Sequence, residues 1–273
     1  MKKDIYLTIL IVVTAICMLF GTLYHTGILR KSARVVYGTS EMKHERIDVE
    51  DLLDPDEPET ETTDIEKNET AGVTDKITEI AANLDLGDLK IRQGSTFGVQ
   101  YEGDDRFEPK VEIENGKLTI EQENRDLNLT WGNIKCEVTV TIPEETDLKS
   151  VDIDLNLGDV ELASLTVSAG TIHNSLGDID VENCRLGTMN IESDLGDVDV
   201  EECAFRELTV DQNMGDVDVT TRQDMSAASI ELETSLGEVK INGKGQGTEF
   251  RIDGDGVILL AVDNDMGDIK LDY

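Results

Sequence analysis

An eight-residue pattern centred on glycine recurs seven times in this chain and constrains its fold more than any other feature. It runs Leu84-Asp-Leu-Gly-Asp-Leu-Lys-Ile91, then Leu155-Asn-Leu-Gly-Asp-Val-Glu-Leu162, and is last seen as Asn264-Asp-Met-Gly-Asp-Ile-Lys-Leu271. The central glycines are Gly87, Gly158, Gly177, Gly196, Gly215, Gly237 and Gly267, at spacings of 71, 19, 19, 19, 22 and 30 residues. A fixed period of this kind marks architectures whose units bury a face only against their neighbours. Two residues before each glycine stands a small polar residue (Asp85, Asn156, Ser175, Asp194, Asn213, Ser235, Asp265). Such side chains bond nearby backbone and suit a corner. The Leu or Met just before the glycine is expected to point inward. The glycine permits a backbone angle or a close approach that a side chain would forbid. An acid follows on the outside, and then apolar, polar and apolar residues alternate as in a half-buried strand.

Counted from each glycine, apolar residues recur at +2, +4, +7, +9, +12, +14 and +18, for example Leu165, Cys184 and Cys203 at +7 and Ile172, Ile191 and Val210 at +14. Gly170 interrupts the +12 position, where Met189 and Leu208 are apolar. Apolar pairs two apart, separated by bends, describe a coil of short strands around an apolar axis, with successive coils about 4.8 Å apart. The expected fold is all-β: a β-solenoid-like stack of short strands with repeats of about 19 residues. A β-sandwich would need longer hairpins and less regular spacing.

Residues 73–143 are strand-rich but less regular and read as the start of the domain and its cap. Asn115-Gly116 between two alternating runs signals a hairpin, and Glu137–Pro143 reads as a strand ended by proline. Asp253-Gly-Asp-Gly256 before Val257–Val262 suggests a late turn and strand, and the spacing of 30 reads as an insertion in the last coil. Upstream, Ile5–Tyr24 is an apolar run of 20 residues without a charge, long enough for a helix to cross a bilayer. It favours an uncleaved anchor over a signal peptide, whose apolar run is shorter. Residues from about Gly38 to Gly72 are acidic and aperiodic and read as a disordered linker. The organisation expected is a tail at 1–4, a transmembrane helix at 5–24, a juxtamembrane segment and linker at 25–72, and a strand-repeat domain at 73–273. Lys2 and Lys3 favour a cytoplasmic N-terminus, whereas Arg30, Lys31 and Arg34 oppose it; a cell-membrane protein with its C-terminal domain outside is the expectation adopted.

The formal net charge of −35 repels phosphate backbones and anionic headgroups, which excludes nucleic acid as a natural partner. Asp159, Asp178, Asp197 and Asp216 share one repeat position, and Asp180, Asp199 and Asp218 share another. Stacked carboxylates about 5 Å apart repel by on the order of 1 kcal/mol per pair in water, and calcium, which takes oxygen ligands, would relieve that. Solvated turn acids are the simpler reading, since the nonapeptide calcium pattern is absent. Cys184 and Cys203 hold one inward position a coil apart, within reach of a disulfide, but buried free thiols fit the same position. Cys17 and Cys136 form no metal-ligand spacing with them. His25, His44 and His173 accompany no nucleophile, and Trp131, the single tryptophan, suits packing. No catalytic residue and no cofactor is indicated, and the chain is not expected to be an enzyme; a polysaccharide-active β-helix is the least favoured reading.

Small-Gly-Asp-apolar-x-apolar units behind one membrane helix resemble the bacterial putative-adhesin family, a strand-repeat domain of unknown function. Ile80–Ile91 is similar to that family's opening, and Ile142–Ile153 to its proline-containing entry into the repeats. Many members carry Ser before the glycine, where this chain has Leu or Met. The resemblance implies a cell-surface binding or structural role in the envelope. The alternative it implies is a membrane-tethered regulator of envelope-stress signalling. It implies no catalytic residues.

Overall fold

The computed structural model describes residues 34–38, 76–122 and 136–273. The expected membrane span, Cys17, His25, His44, residues 39–72 of the linker and Trp131 lie outside the described residues. Among the described residues no helix is long and apolar enough to cross a membrane.

The regular repeats each form one coil with two strands. Thr166–Asn174 runs into a glycine corner, continues as Ile179–Glu182 and bends into the next long strand, Arg185–Ser193. Val198–Glu201, Ala204–Gln212 and Val217–Thr220 continue the pattern. Long strands pair with long and short with short, all parallel. Ile172 lies beside Ile191 and Ile179 beside Val198, a register of one 19-residue repeat. The result is two facing sheets, of 11 strands and 10 strands, as expected of a solenoid-like stack and not of a hairpin-built sandwich. The repeat positions from +2 to +14 fill the space between the sheets: Val160, Leu165, Val167, Ile172 and their equivalents are buried. At +12, Gly170 leaves room that the Met189 side chain of the next coil occupies.

Spatial order departs from chain order at both ends. Glu79–Leu84 pairs directly with Asp147–Leu155, and Asp88–Gly94 with Val160–Ala163. The first glycine corner therefore abuts the second, and the 71-residue spacing is an excursion that builds a cap. That cap contains the hairpin Lys110–Glu114/Lys117–Glu121, with Asn115 and Gly116 at positive φ as the sequence indicated, and the antiparallel pair Gly98–Gly103/Cys136–Pro143. At the other end the sequence reading needs correction. The spacing of 30 is not an insertion within the last coil. Leu259–Met266 lies between Ala204–Gln212 and Ser229–Leu236, and Ile269–Asp272 lies between Val217–Thr220 and Val239–Ile241. The chain goes first to the outermost rung and adds antiparallel cap strands at Lys244–Gly247 and Glu249–Ile252. It then returns to fill the rung beneath. In stack order the corners are Gly87, Gly158, Gly177, Gly196, Gly215, Gly267 and Gly237.

A further difference concerns the segment read as juxtamembrane. Arg34–Gly38 is a strand, antiparallel to Gly98–Gly103 at the edge of the 11-stranded sheet. Its run of Val35, Val36 and Tyr37 has strand propensity, and the sheet edge supplies unpaired backbone groups for it.

Candidate functional site

The corners build the most regular surface of the molecule. Gly158 donates its N–H to Leu176 O (2.9 Å), Gly177 to Leu195 O (2.9 Å) and Gly196 to Met214 O (3.1 Å), so successive corners sit directly on one another. Gly196 has φ +146°, and a Cβ there would overlap the carbonyl oxygen of Gly177. The same close approach holds from Gly158 to Gly237, each against the rung before it, and φ is positive at all of these except Gly237. Glycine is thus required both for its backbone angle and for close approach.

The acid after each glycine has a structural partner. The N–H of Asp178 donates to Asp159 Oδ1 (2.9 Å), that of Asp197 to Asp178 Oδ1 (2.8 Å), and that of Asp216 to Asp197 Oδ1 (2.8 Å). The ladder continues through Asp268 onto Asp216 (2.8 Å) and ends with Glu238 onto Asp268 (3.0 Å). A carboxylate accepting a backbone N–H makes a charge-assisted bond, about twice as strong as a neutral one. Each Asp therefore caps the amide of the next coil, which offsets repulsion along the column. Glu238, on the outermost rung, has no next coil to cap, and it is there that the longer acid stands.

Two residues further on, the second column runs Lys90, Glu161, Asp180, Asp199, Asp218, Lys270 and Lys240 in stack order. Lysines therefore stand at both ends. Lys90 Nζ lies 3.6 Å from Glu161, and Lys270 Nζ 2.9 Å from Asp218. Asp180 and Asp199 lie between, without a cation. Partial burial first, then Asp218, Asp180, Glu201 and Asp197, pushes Asp199 up to about 6. Burial and then Asp178 raise Asp180. The hydrogen bond to Asp218 holds Lys270 above its ordinary value. The structure thus brings together the seven acids singled out in the sequence, as two adjacent columns. Among the described residues no group of three or more His, Cys, Asp or Glu side chains is placed to hold a metal ion.

A third column escaped the sequence reading. Asn174, Ser193, Gln212, Asn264 and Thr234, three residues before their glycines, are buried. Asn174 Nδ2 donates to Gly158 O (3.1 Å), Asn264 Nδ2 to Gly215 O (2.9 Å), Thr234 Oγ1 to Gly267 O (2.9 Å), and Gln212 Nε2 to Gly196 O. These four side chains satisfy corner carbonyls, whereas the buried Ser193 Oγ makes no hydrogen bond among the described residues. The available signal was a polar residue at a position where strict alternation demands an apolar one.

Another expectation is corrected at the same corner. The Leu or Met before each glycine does not point inward. Leu86, Leu157, Leu176, Leu195, Met214 and Met266 are partly exposed, and Leu236 is 63% exposed. With three exterior positions at the turn, this side chain rides on the outside of the corner, stacked on its equivalents.

The cysteines pack inside. Cys136, Cys184 and Cys203 are free and buried. Leu165 donates its N–H to Cys184 Sγ (3.4 Å), and Cys184 its N–H to Cys203 Sγ (3.3 Å), so each sulfur serves the bend of the preceding coil. The hydrogen bond with Cys184, then burial, pushes the Cys203 thiol up. His173 stands on the outer face of the long-strand sheet, 3.2 Å from Asp154. It rims a shallow depression lined by Ala81, Thr119, Asp152 and Thr171.

The chain is similar in part to several solved structures. A putative cell adhesion protein from Clostridium sporogenes is 15% identical, with a TM-score of 0.39, over 72% of this chain and 93% of the other. A putative adhesin from Bacteroides fragilis is 12% identical, with a TM-score of 0.31, over 72% and 92%. One from Parabacteroides distasonis is 12% identical, with a TM-score of 0.27, over 71% and 92%. No curated protein matches the chain. The family profile described as Toastrack DUF4097 matches residues 77–273, the stretch that contains all seven glycine corners, and the chain belongs to that family.

Proposed function

We propose that this protein is a binding or structural module of the bacterial envelope, anchored by Ile5–Tyr24 with its strand-repeat domain outside the cell. The observation that carries this reading is the stack itself. Each coil adds one more set of exterior residues, so the domain presents straight columns of side chains and, among the described residues, no convergent pocket of nucleophile, base and oxyanion donors. An array of identical columns suits recognition of an extended partner. The strand Arg34–Gly38 begins ten residues after Tyr24, a stretch that reaches at most about 35 Å. It would keep the domain close to the bilayer. That short tether also favours a second reading, a regulator of envelope-stress signalling whose domain is coupled to its anchor through the sheet edge.

Location is tested by adding protease to intact, wall-stripped cells. Digestion of the domain is expected. Protection until lysis would overturn the external placement. Expressing the chain without residues 1–33 separates the two roles: a binding module keeps its ligand, whereas a regulator loses its effect on a stress reporter.

A further inference from the structure

We propose that the Leu/Met column along the glycine corner is a docking ridge for a cationic amphipathic helix. The column has seven rungs in unbroken stack order. Six steps of about 4.8 Å make it roughly 29 Å long, the length of a helix of about 19 residues. Its members touch solvent at every rung, from Leu86 at one end to Leu236, 63% exposed, at the other. Packing against neighbouring rungs covers part of each side chain and leaves an apolar edge open to solvent along the whole corner. A small polar residue would meet the needs of an exposed turn better.

The borders of the ridge specify the partner. On one side runs the column containing Asp159, Asp178, Asp197 and Asp216; on the other, Asn156, Ser175, Asp194 and Asn213. From Gly158 to Gly215 neither border holds a Lys or Arg. An apolar rail with an acidic border on one side and a mostly neutral polar one on the other, free of cations, complements a helix whose apolar stripe is flanked by Lys or Arg. A strand fits less well, because its alternate side chains leave on opposite faces. A second copy carries the same net charge of −35 and is repelled, and an anionic lipid surface meets the same repulsion. Asp199 and Asp180, one column further out and lacking a cation of their own, extend the negative field beyond the border.

The proposal rests on the binding reading only in supplying its surface, and its assay uses purified components. Its failure therefore leaves the cellular location, read by protease access, unaffected. The full chain in zwitterionic nanodiscs is titrated with a labelled 19-residue amphipathic peptide of Leu and Lys. The references are empty nanodiscs and a scrambled peptide of the same composition. The amphipathic peptide is expected to bind at least about tenfold more tightly than the scrambled one, and more weakly as salt rises. Replacing Leu176, Leu195 and Met214 by Ser should cost at least tenfold in affinity while the variant remains folded, as its circular dichroism reads. If that triple variant fails to fold, the single change Leu195→Lys, which places a cation on the ridge, should give the same loss. Equal binding of both peptides, or unchanged affinity in the folded variants, overturns the proposal. So does a dimer of the parent chain, seen by light scattering, that the ridge variants abolish, since the occupant would then be a second copy.

Discussion

At Gly196 two requirements meet that no other residue satisfies. Its φ of +146° belongs to glycine, and a Cβ would be driven into the carbonyl oxygen of Gly177, which cannot move without displacing the rung below. Strain at such an angle costs about 1–3 kcal/mol, and forced displacement of a packed neighbour about 1–3 more. Gly196→Ala is therefore expected to destabilise the protein by about 3 kcal/mol or more, a melting-point drop of at least roughly 6 °C for a domain this size. Gly243 is the control. It also has positive φ (+71°) but meets nothing within 4 Å, so Gly243→Asn should stay within about 0.5 kcal/mol, because Asn tolerates the left-handed region. Thermal unfolding of the two variants checks both values, and equal stability would mean that neither angle nor contact constrains the corner. That glycine was needed at the corners could be read from the repeat. The carbonyl it packs against could not, because only stacking places Gly177 O there.

At the scale of the strand columns, charge is arranged by position in the stack. The column through Asp180 and Asp199 carries lysines at both ends, so the acids farthest from a cation lie in the middle. Asp199 is raised to about 6, by burial first and neighbouring carboxylates second. Because its folded value lies above the ordinary aspartate value, the folded state binds more protons than the unfolded chain between about pH 4 and 6. The linkage relation then gives a stability contribution that falls as pH rises through this window. The cost is complete above the folded value and absent below the unfolded one. Asp199 is partly exposed, so solvent screening reduces the effect to about 1 kcal/mol. Asp199→Asn is expected to raise the melting temperature at pH 7.5 by roughly 2–4 °C and to leave it unchanged at pH 3.5. A gain of equal size at both pH values would remove titration as the cause. The sequence displayed these acids as a ladder, but not which of them lacks a cation. Lys90 is 71 residues from Glu161 in the chain yet adjacent to it in the sheet, and Lys270 reaches Asp218 across the reversed final rungs.

For the whole molecule, the period of 19 was enough to indicate parallel stacking, because only a coil returns equivalent residues to one face at a constant interval. It was not enough to order the terminal rungs. Ser229–Leu236 and Leu259–Met266 carry the same apolar pattern, so either could have followed Ala204–Gln212. Chain order favours the first; the structure uses the second. The reason is visible at the edge. The segment ending in Gly237 continues into the hairpin turn Asn242-Gly243, both residues at positive φ, whose antiparallel strands can cap a free edge but not occupy an interior rung. The last segment, Leu259–Met266 and Ile269–Asp272, pairs in parallel on both sides and so fits between two neighbours. This order can be checked by cross-linking. Asp218 and Lys270 are register partners on one face, so Asp218→Cys with Lys270→Cys places two cysteines within the Cα separation that a disulfide tolerates, less than about 7 Å. Lys240 stands one rung beyond Lys270, roughly 9.6 Å from Asp218 at two sheet spacings, so Asp218→Cys with Lys240→Cys should remain unlinked under the same mild oxidation. Mass mapping of linked peptides distinguishes the pairs from the buried native thiols. Efficient linkage of the second pair and none of the first would restore the chain-order stack, with the final segment as the outermost rung.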